Sequence, residues 1–165
     1  MTEPLGEALR GAMRRWASGV SVVTAAHGGK RAAMTVSAFF SASLEPPIVV
    51  VSLEEGTETL ALARASRAFA VSVLGEGAEG ASARFAGYGL APDADRFEGR
   101  ATSSKTTGAP VLVEAIAWVD CRVRALHAVG THVLVVGDVV AAGASPGPAR
   151  PLVYCDRGYR RLEPS

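Results

Sequence analysis

Hydroxyl-bearing and very small side chains are concentrated between residues 35 and 43. In the run Thr35-Val36-Ser37-Ala38, an extended chain places Thr35 and Ser37 on one face and Val36 on the other. The small residues at 38 and 41–43 leave room for main-chain N–H groups to approach a ligand. This combination suits a flat, mostly apolar ligand with a polar edge, although an edge strand without any ligand explains the run equally well when it is taken alone.

A second pattern, Gly75-Glu76-Gly77-Ala78-Glu79-Gly80, has the glycine spacing of a dinucleotide-binding loop. It follows a predicted strand, and Asp95 lies near the position expected of a ribose-binding acid. Such a loop needs parallel strands with crossover helices, whereas the downstream sequence has a long glycine-rich loop and then antiparallel alternation. In a chain with 18 glycines this spacing arises readily by chance. We therefore interpret the pattern as a glycine-rich strand exit.

The cysteines and histidines do not indicate a metal site. Cys121 and Cys155 stand far apart, without the spacing of a zinc site or a redox pair, and we expect both to be reduced. Cys121 alternates with small apolar residues on a predicted strand, a pattern typical of a buried residue. His127 and His132 have no carboxylate or thiolate spaced to join them around an ion. We therefore expect no bound metal.

Size and charge favour a globular protein with a small ligand. The 165 residues are 48% hydrophobic, which predicts one domain spanning residues 1–165. Since 17 basic residues face 16 acidic ones, the net charge of +1 gives no footprint for nucleic acid or an anionic membrane. No apolar run approaches the ~18 residues of a membrane span, and the first ten residues do not resemble a signal peptide. We expect a cytoplasmic protein.

Alternating and helical periodicities predict a mainly β chain with short helices. The predicted strands cover residues 20–26, 31–37, 48–51, 69–74, 118–126, 132–140 and 153–162. The predicted helices are an amphipathic one over residues 5–16, one capped by Thr57 that runs to residue 64, and one over residues 77–85. Segment 87–110 is predicted to be a surface excursion or lid with no assigned role. Mostly hairpin-length connections favour a closed or partly open antiparallel barrel over a βαβ fold.

Short motifs along nearly the whole chain match one family in its own order. The front half carries Trp16-Ala17-Ser18-Gly19-Val20-Ser21-Val22-Val23-Thr24, Ala33-Met34-Thr35-Val36-Ser37-Ala38-Phe39 and Ser41-Ala42-Ser43-Leu44-Glu45-Pro46-Pro47. The later motifs are Phe69-Ala70-Val71-Ser72-Val73-Leu74, Arg84-Phe85-Ala86-Gly87, Asp95-Arg96-Phe97, Gly108-Ala109-Pro110, Ala117-Trp118-Val119-Asp120-Cys121, Gly130-Thr131-His132 and Pro151-Leu152-Val153-Tyr154. On these motifs the chain resembles the flavin reductase-like family. It departs from the family at Ser72, where Asn is usual, and at Thr131, where an Asp commonly precedes the His.

The resemblance implies a mainly β fold, the FMN-binding split barrel, which is a Greek-key antiparallel barrel with short flanking helices. It also implies a homodimer with flavin sites near the subunit interface. The implied enzyme is an NAD(P)H:flavin oxidoreductase that transfers hydride from NADH or NADPH to FMN or FAD and supplies reduced flavin to a separate monooxygenase. Two alternatives remain: a split-barrel flavoprotein whose tightly bound flavin acts on another substrate, and a flavin-binding protein without catalysis.

The resemblance further implies the residues of the site. His132 would position the nicotinamide rather than act as an acid or base, because hydride transfer is mainly a task of orientation. Arg84 would supply positive charge and Phe85 would cover the ring or ribityl chain, while the flavin tail would lie at the helix that starts after Thr57, where Glu58 is unfavourable. The predicted flavin-binding residues are Met34, Thr35, Val36, Ser37, Ala38, Ser41, Ala42, Ser43, Thr57, Thr59, Arg84, Phe85 and Tyr154.

Overall fold

The computed structural model describes residues 4–163 as a mainly β protein. The helices are α1 (Leu5–Met13), α2 (Glu58–Ser66) and α3 (Glu79–Ala86). The strands are β1 (Ser18–Gly19), β2 (Ser21–His27), β3 (Lys30–Val36), β4 (Phe39–Leu44), β5 (Pro47–Glu54), β6 (Ala68–Val73), β7 (Thr102–Ser104), β8 (Pro110–Leu112), β9 (Ala117–Val129), β10 (His132–Ala144), β11 (Val153–Cys155) and β12 (Gly158–Arg160). In this part of the chain no helix has the length and apolar character needed to cross a membrane.

Seven of these strands form one antiparallel sheet in the order β3-β2-β6-β9-β10-β5-β4. Its edge strands β3 and β4 are consecutive in the chain, so the short Ser37-Ala38 connection links the two ends of the sheet. The neighbours β2 and β6, like β5 and β10, are distant in sequence, as a Greek key requires. The predicted antiparallel Greek-key barrel with short flanking helices is confirmed.

The barrel interior is filled by apolar side chains from β2, β3, β5, β6, β9 and β10, with α2 packed against them. Alternation along β2 sends Val23 into this interior and Val22 into a second cluster outside the sheet, where α3 packs. Phe69 belongs to this interior and is fully buried. A Cβ atom at Gly137 would lie 2.5 Å from the Phe69 ring, so only glycine fits there. The periodicity of these strands thus builds a core on both faces of β2.

The C-terminal strand prediction is wrong in one respect. Residues 153–162 form a hairpin of two short strands, β11 and β12, rather than one strand. Asp156 and Arg157 have φ values of 48° and 60°. Two consecutive positive φ angles are typical of a two-residue loop in which the chain reverses direction between hairpin strands. Strand β4 was not predicted, because its sequence Phe-Phe-Ser-Ala-Ser-Leu is poor in β-branched residues.

The glycine pattern at 75–80 does not form a dinucleotide-binding loop. Every strand pairing among the described residues is antiparallel, so no crossover unit surrounds this loop. Gly75 forms a bridge to Pro151, and a Cβ atom on it would lie 2.6 Å from the Ile116 side chain. The interpretation as a glycine-rich strand exit is confirmed, and the structure adds that Gly75 is tightly packed.

Candidate active site

A cleft of about 720 Å³ lies between β3, the start of α2 and the wall formed by the end of α3 with residues 88–97. This volume is in the range of sites that hold a small organic ligand. The predicted flavin-binding residues that line the cleft are Met34, Thr35, Thr57, Thr59 and Phe85. The cleft therefore brings together most of the predicted flavin-binding residues that lie on β3 and on the helices.

Strand β3 presents alternate residues to the two sides of the sheet. Met34 and Val36 pack against the barrel interior, so Val36 could contact a ligand only through its main chain. Thr35 lies on the other face, where its hydroxyl donates a 2.7 Å hydrogen bond to the carbonyl of Ser82 on α3. Because Thr35 is fixed by α3, its side chain has a defined direction at the cleft.

The predicted residues beyond β3 lie on an open edge instead. Ser37 and Ala38 are exposed, and the Ala38 carbonyl accepts a 3.0 Å hydrogen bond from the main-chain N–H of Ser52. Ser41, Ala42 and Ser43 follow on β4, where the pairing with β5 is irregular between Ser41 and Ser43. None of these residues lines the cleft itself. They form an accessible strand edge that follows Thr35 in the chain, along the β3–β4 connection and β4.

The start of α2 differs from the predicted cap. Thr57 occupies the N-cap position, but its hydroxyl donates backwards to the Glu54 carbonyl at 2.9 Å and makes no side-chain cap. Thr59 is buried, and Glu58 is an exposed acid in the first helical turn. The first-turn N–H groups of the helix therefore lie beside the cleft and have no side-chain cap. Such groups can bind an anion, but the Glu58 carboxylate next to them opposes this.

Arg84 is engaged in the wall of the cleft. Its Nε donates to the Arg96 carbonyl at 2.9 Å and its Nη2 to the Asp95 carbonyl at 2.7 Å. Arg96 reciprocates, since its Nη1 donates to the Phe85 carbonyl at 2.8 Å and to the Ala33 carbonyl at 3.2 Å. The sequence motifs at 84–87 and 95–97 thus interlock, and we call this reciprocal arrangement the arginine lock.

Aromatic packing and one glycine complete the arginine lock. Phe85 is fully buried and meets Phe97 edge to face, with ring centroids 5.4 Å apart. Gly87 has φ +83°, and a Cβ atom there would lie 3.0 Å from Arg96 Nη2. Phe85 therefore acts first as a packing residue that shapes the wall, and Gly87 permits the close approach of Arg96.

His132 lies on the rim at the start of β10, directly opposite Glu54 of β5, which lines the cleft. Its ring is exposed, and Nδ1 lies 3.0 Å from the Thr131 hydroxyl. Directly after Glu54, hydrogen bonds of 2.6 and 2.9 Å from Arg64 lower the pKa of the exposed Glu55 carboxyl. His132 is therefore exposed opposite a residue of the cleft lining and is not packed as a core residue.

Tyr154 lies on β11 outside the cleft lining, with its ring centroid 5.5 Å from that of Tyr159. The Tyr159 hydroxyl donates to the Ser82 hydroxyl at 2.9 Å, and Ser82 also accepts the Thr35 hydrogen bond. Sequence reasoning missed Ser82 and Tyr159. No local motif marks them, because their partners are distant in sequence. Ser82 is 47 positions from Thr35 and 77 positions from Tyr159.

Comparisons with known proteins agree with this fold. The family model described as "Flavin reductase like domain" matches residues 13–163, and the chain belongs to that family. It is 42% identical over 161 residues to the reductase component of 4-hydroxyphenylacetate 3-monooxygenase from Thermus thermophilus, covering 94% of this chain and 96% of that protein. The predicted resemblance is confirmed.

Two further relatives carry names that match the predicted reaction. The chain is 37% identical to the FMN reductase (NADH) RutF 2 of Rhizobium rhizogenes, covering 93% of this chain and 87% of that protein. The solved structure of the NADH:FAD oxidoreductase SgcE6 of Streptomyces globisporus superposes with a TM-score of 0.89 at 29% identity, covering 99% of this chain and 98% of that one. The predicted class of enzyme, NAD(P)H:flavin oxidoreductase, and its cofactors are confirmed by these relatives.

Proposed function

We propose that this chain binds FMN or FAD in the cleft along β3 and reduces it with NADH or NADPH. The observation that carries the proposal is the cleft itself, which has Thr35 fixed on its floor, uncapped N–H groups of α2 on one side and the arginine lock on the other. A flat ring fits against Ala33 and Thr35, which are small residues of β3 in the cleft lining, and a phosphorylated tail fits beside a helix start. The names of the relatives support the same reaction.

When bound, the flavin supplies the hydride acceptor. The chain's own task is to hold both partners in contact and to exclude alternatives, because hydride transfer depends mainly on orientation. Thr35 and the main chain of residues 36–38 would orient the ring edge. His132, exposed on the rim opposite Glu54, would orient the nicotinamide. Neither role requires an acid or base with an unusual pKa.

The decisive experiment is NADH oxidation by the purified protein with no flavin, with FMN and with FAD. We expect oxidation that depends on added flavin, because the reduced flavin is released rather than retained. Reduction without added flavin, by a protein that keeps its colour through gel filtration, would support the tightly bound flavoprotein instead. Flavin binding without any NADH oxidation would support the non-catalytic alternative.

We further propose that the chain, a single domain over residues 1–165, works as a cytoplasmic homodimer. Helix α1 has no buried residue although it carries an apolar side, and β4 is an edge strand with large apolar side chains in solvent. Such surface is normally covered by a partner. The side chains concerned are Leu5, Leu9, Met13, Trp16, Phe40 and Leu44. Because Ser37 to Ser43 lie on the same edge, a second copy there would help to enclose the flavin.

Light scattering coupled to gel filtration tests the homodimer. We expect a dimer for the wild type and a monomer for Leu44→Asp, since an exposed leucine replaced by a charge changes an interface but not the monomer's core. Leu162→Asp is the matched control, because Leu162 is also an exposed leucine but lies outside α1 and β4. A monomeric wild type would contradict the proposal.

A released reduced flavin needs an acceptor protein, and we propose a separate flavin-dependent monooxygenase. The relative from Thermus thermophilus is named as the reductase component of such a system. Transfer by diffusion predicts that the reductase and an unrelated two-component monooxygenase work when separated by a dialysis membrane under low oxygen. Hydroxylation only on mixing would indicate transfer within a complex.

A further inference from the structure

The cleft holds few cations that are free to meet a phosphate. Its lining includes three basic side chains, Lys30, Arg31 and Arg96. Arg96 is committed to the arginine lock through main-chain carbonyls of Phe85 and Ala33. Arg84, which the sequence suggested for this role, donates to the carbonyls of residues 95 and 96. The positive charge available to a ligand therefore comes from the start of β3.

Arg31 is the better placed of the two residues there. Its guanidinium carbon lies 4.4 Å from the centroid of the Phe97 ring, and its Nη2 lies 3.2 Å from Asp95 Oδ2. Stacking on the ring and one ion pair fix the plane of the group, while 43% of the side chain remains exposed. A guanidinium held in this way keeps N–H groups that can donate to a second anionic partner, such as a phosphate.

Acidic side chains oppose an anion in the same cleft. The lining carries Glu54, Glu58, Asp93 and Asp95, of which Asp95 is already paired with Arg31. With the three basic residues this makes four negative and three positive groups. A phosphate therefore enters a cleft that is not positive as a whole, so its affinity depends on a specific hydrogen-bonding cation rather than on the general field.

We propose that Arg31 binds a phosphate group of the flavin and that Glu58 opposes it. Together the two residues set how strongly the site prefers a phosphorylated flavin over riboflavin. Glu58 takes the opposing role because it stands in the first turn of α2, beside the N–H groups that would otherwise attract the same phosphate. This inference rests on the proposed binding of flavin in the cleft and adds the residues that recognise its tail.

The test compares riboflavin, FMN and FAD binding by fluorescence quenching in the full chain. Arg31→Met keeps the length and apolar stem of the side chain but removes its charge and donors. We expect it to lower the affinity for FMN or FAD about tenfold and to leave riboflavin affinity nearly unchanged. Arg31→Lys, which keeps the charge, should restore part of the preference. Glu58→Gln should change the preference in the opposite direction, by about threefold.

The matched control is Arg124→Met. Arg124 is similarly exposed and forms one ion pair with Asp138 at 2.7 Å, but it does not line the cleft. We expect it to leave all three affinities unchanged. Raising the salt concentration should reduce the preference of the wild type for FMN and should have little effect on Arg31→Met, because only the charged contact is screened.

Equal losses for riboflavin, FMN and FAD in Arg31→Met would overturn the inference, since they would show that Arg31 only supports the wall. A rise in the KM for NADH with unchanged flavin affinities would also overturn it and assign the residue to the nicotinamide dinucleotide. The absence of riboflavin binding and of NADH oxidation in the wild type is a different result. It would refute the proposed function itself, so the two failures remain distinguishable.

Discussion

The wall of the cleft and the exposed β4 edge of the sheet are built in opposite ways. On the wall made by α3 and residues 88–97, Arg84 and Arg96 spend their N–H groups on main-chain carbonyls of that same wall and of β3. On the β4 side, Phe40 and Leu44 are 56% and 81% exposed and the strand has a neighbour on one side only. The wall satisfies its groups within the chain, whereas the β4 edge leaves both apolar surface and main-chain groups for something else.

This difference separates positions that determine stability from positions that determine binding. Removing the donor of a buried or half-buried carbonyl lowers the free energy of unfolding. Substitutions in the arginine lock should therefore lower the melting temperature. An exposed edge carries little folding energy and is free to meet a ring or a second subunit. The predictions below test that separation at residues on each side.

The largest effect is expected from Ser37→Tyr on the exposed connection between β3 and β4. A phenol ring there would occupy the space proposed for the flavin ring, so flavin binding should be lost, by about 100-fold or more, while the melting temperature stays near that of the wild type. Flavin fluorescence quenching and a melting curve measure both. Ser104→Tyr, at an exposed position of β7, is the control. Normal flavin binding by Ser37→Tyr would refute the assigned site.

The wall should behave in the reverse manner. Arg96→Ala removes the donors to the Phe85 and Ala33 carbonyls, and we expect a loss of about 2–3 kcal/mol of unfolding free energy, or roughly 5–10 °C in Tm. Arg124→Ala, which breaks an exposed ion pair, should cost at most about 1 kcal/mol. Equal melting temperatures for the two variants would show that the arginine lock does not stabilise the wall.

Local pattern predicted much of the barrel and little of the wall. The β2–β3 hairpin could be predicted because Gly28 and Gly29, with φ +57° and +80°, announce a tight turn between alternating residues. Strand β4 could not, since its serines and alanines have weak strand preference and the strand is specified by pairing with the strongly β-branched β5. The family motifs supplied what periodicity could not, namely the barrel topology and the class of reaction.

The contacts of Arg84 could not be predicted from the sequence. From the sequence, an arginine on a helix is either a solvated charge or a ligand for a phosphate, and the carbonyls that it actually meets lie 11 and 12 residues further along the chain. Arg31 is the opposite case, since the sequence gives no sign that it lies in the cleft. It follows a hairpin and looks like a solvated charge until the position of Phe97 is known. Both assignments needed the path of residues 88–97, which no periodicity specified.

A smaller effect is expected at His132, which lies opposite Glu54 of the cleft lining. If this residue positions the nicotinamide, His132→Ala should slow hydride transfer or raise the KM for NAD(P)H about tenfold, a loss of ~1.4 kcal/mol, with little change in flavin affinity. Its exposed ring predicts no fall in Tm. Stopped-flow flavin reduction, flavin titration and melting curves on one preparation provide the readouts, and His127→Ala is the control. Unchanged reduction kinetics would remove His132 from the mechanism.

The smallest effect concerns the two thiols, whose chemical reactivity depends on their burial and which have no proposed role in catalysis. Burial raises the pKa of Cys121, in the barrel core, to about 12, whereas Cys155 is only half-buried. At pH 8 a disulfide reagent should therefore modify one thiol per folded chain and both after unfolding, because the thiolate is the reacting form.

A second consequence concerns stability at high pH. The folded pKa of Cys121 lies above its value of 9.0 in the absence of structure, so the unfolded chain loses this proton first as the pH rises. The contribution of the neutral thiol is complete below about pH 9 and falls as the pH rises towards 12. Cys121→Ala removes this titration, while Cys155→Ser should keep it. Modification of both thiols at one rate in the folded chain would contradict the closed barrel core.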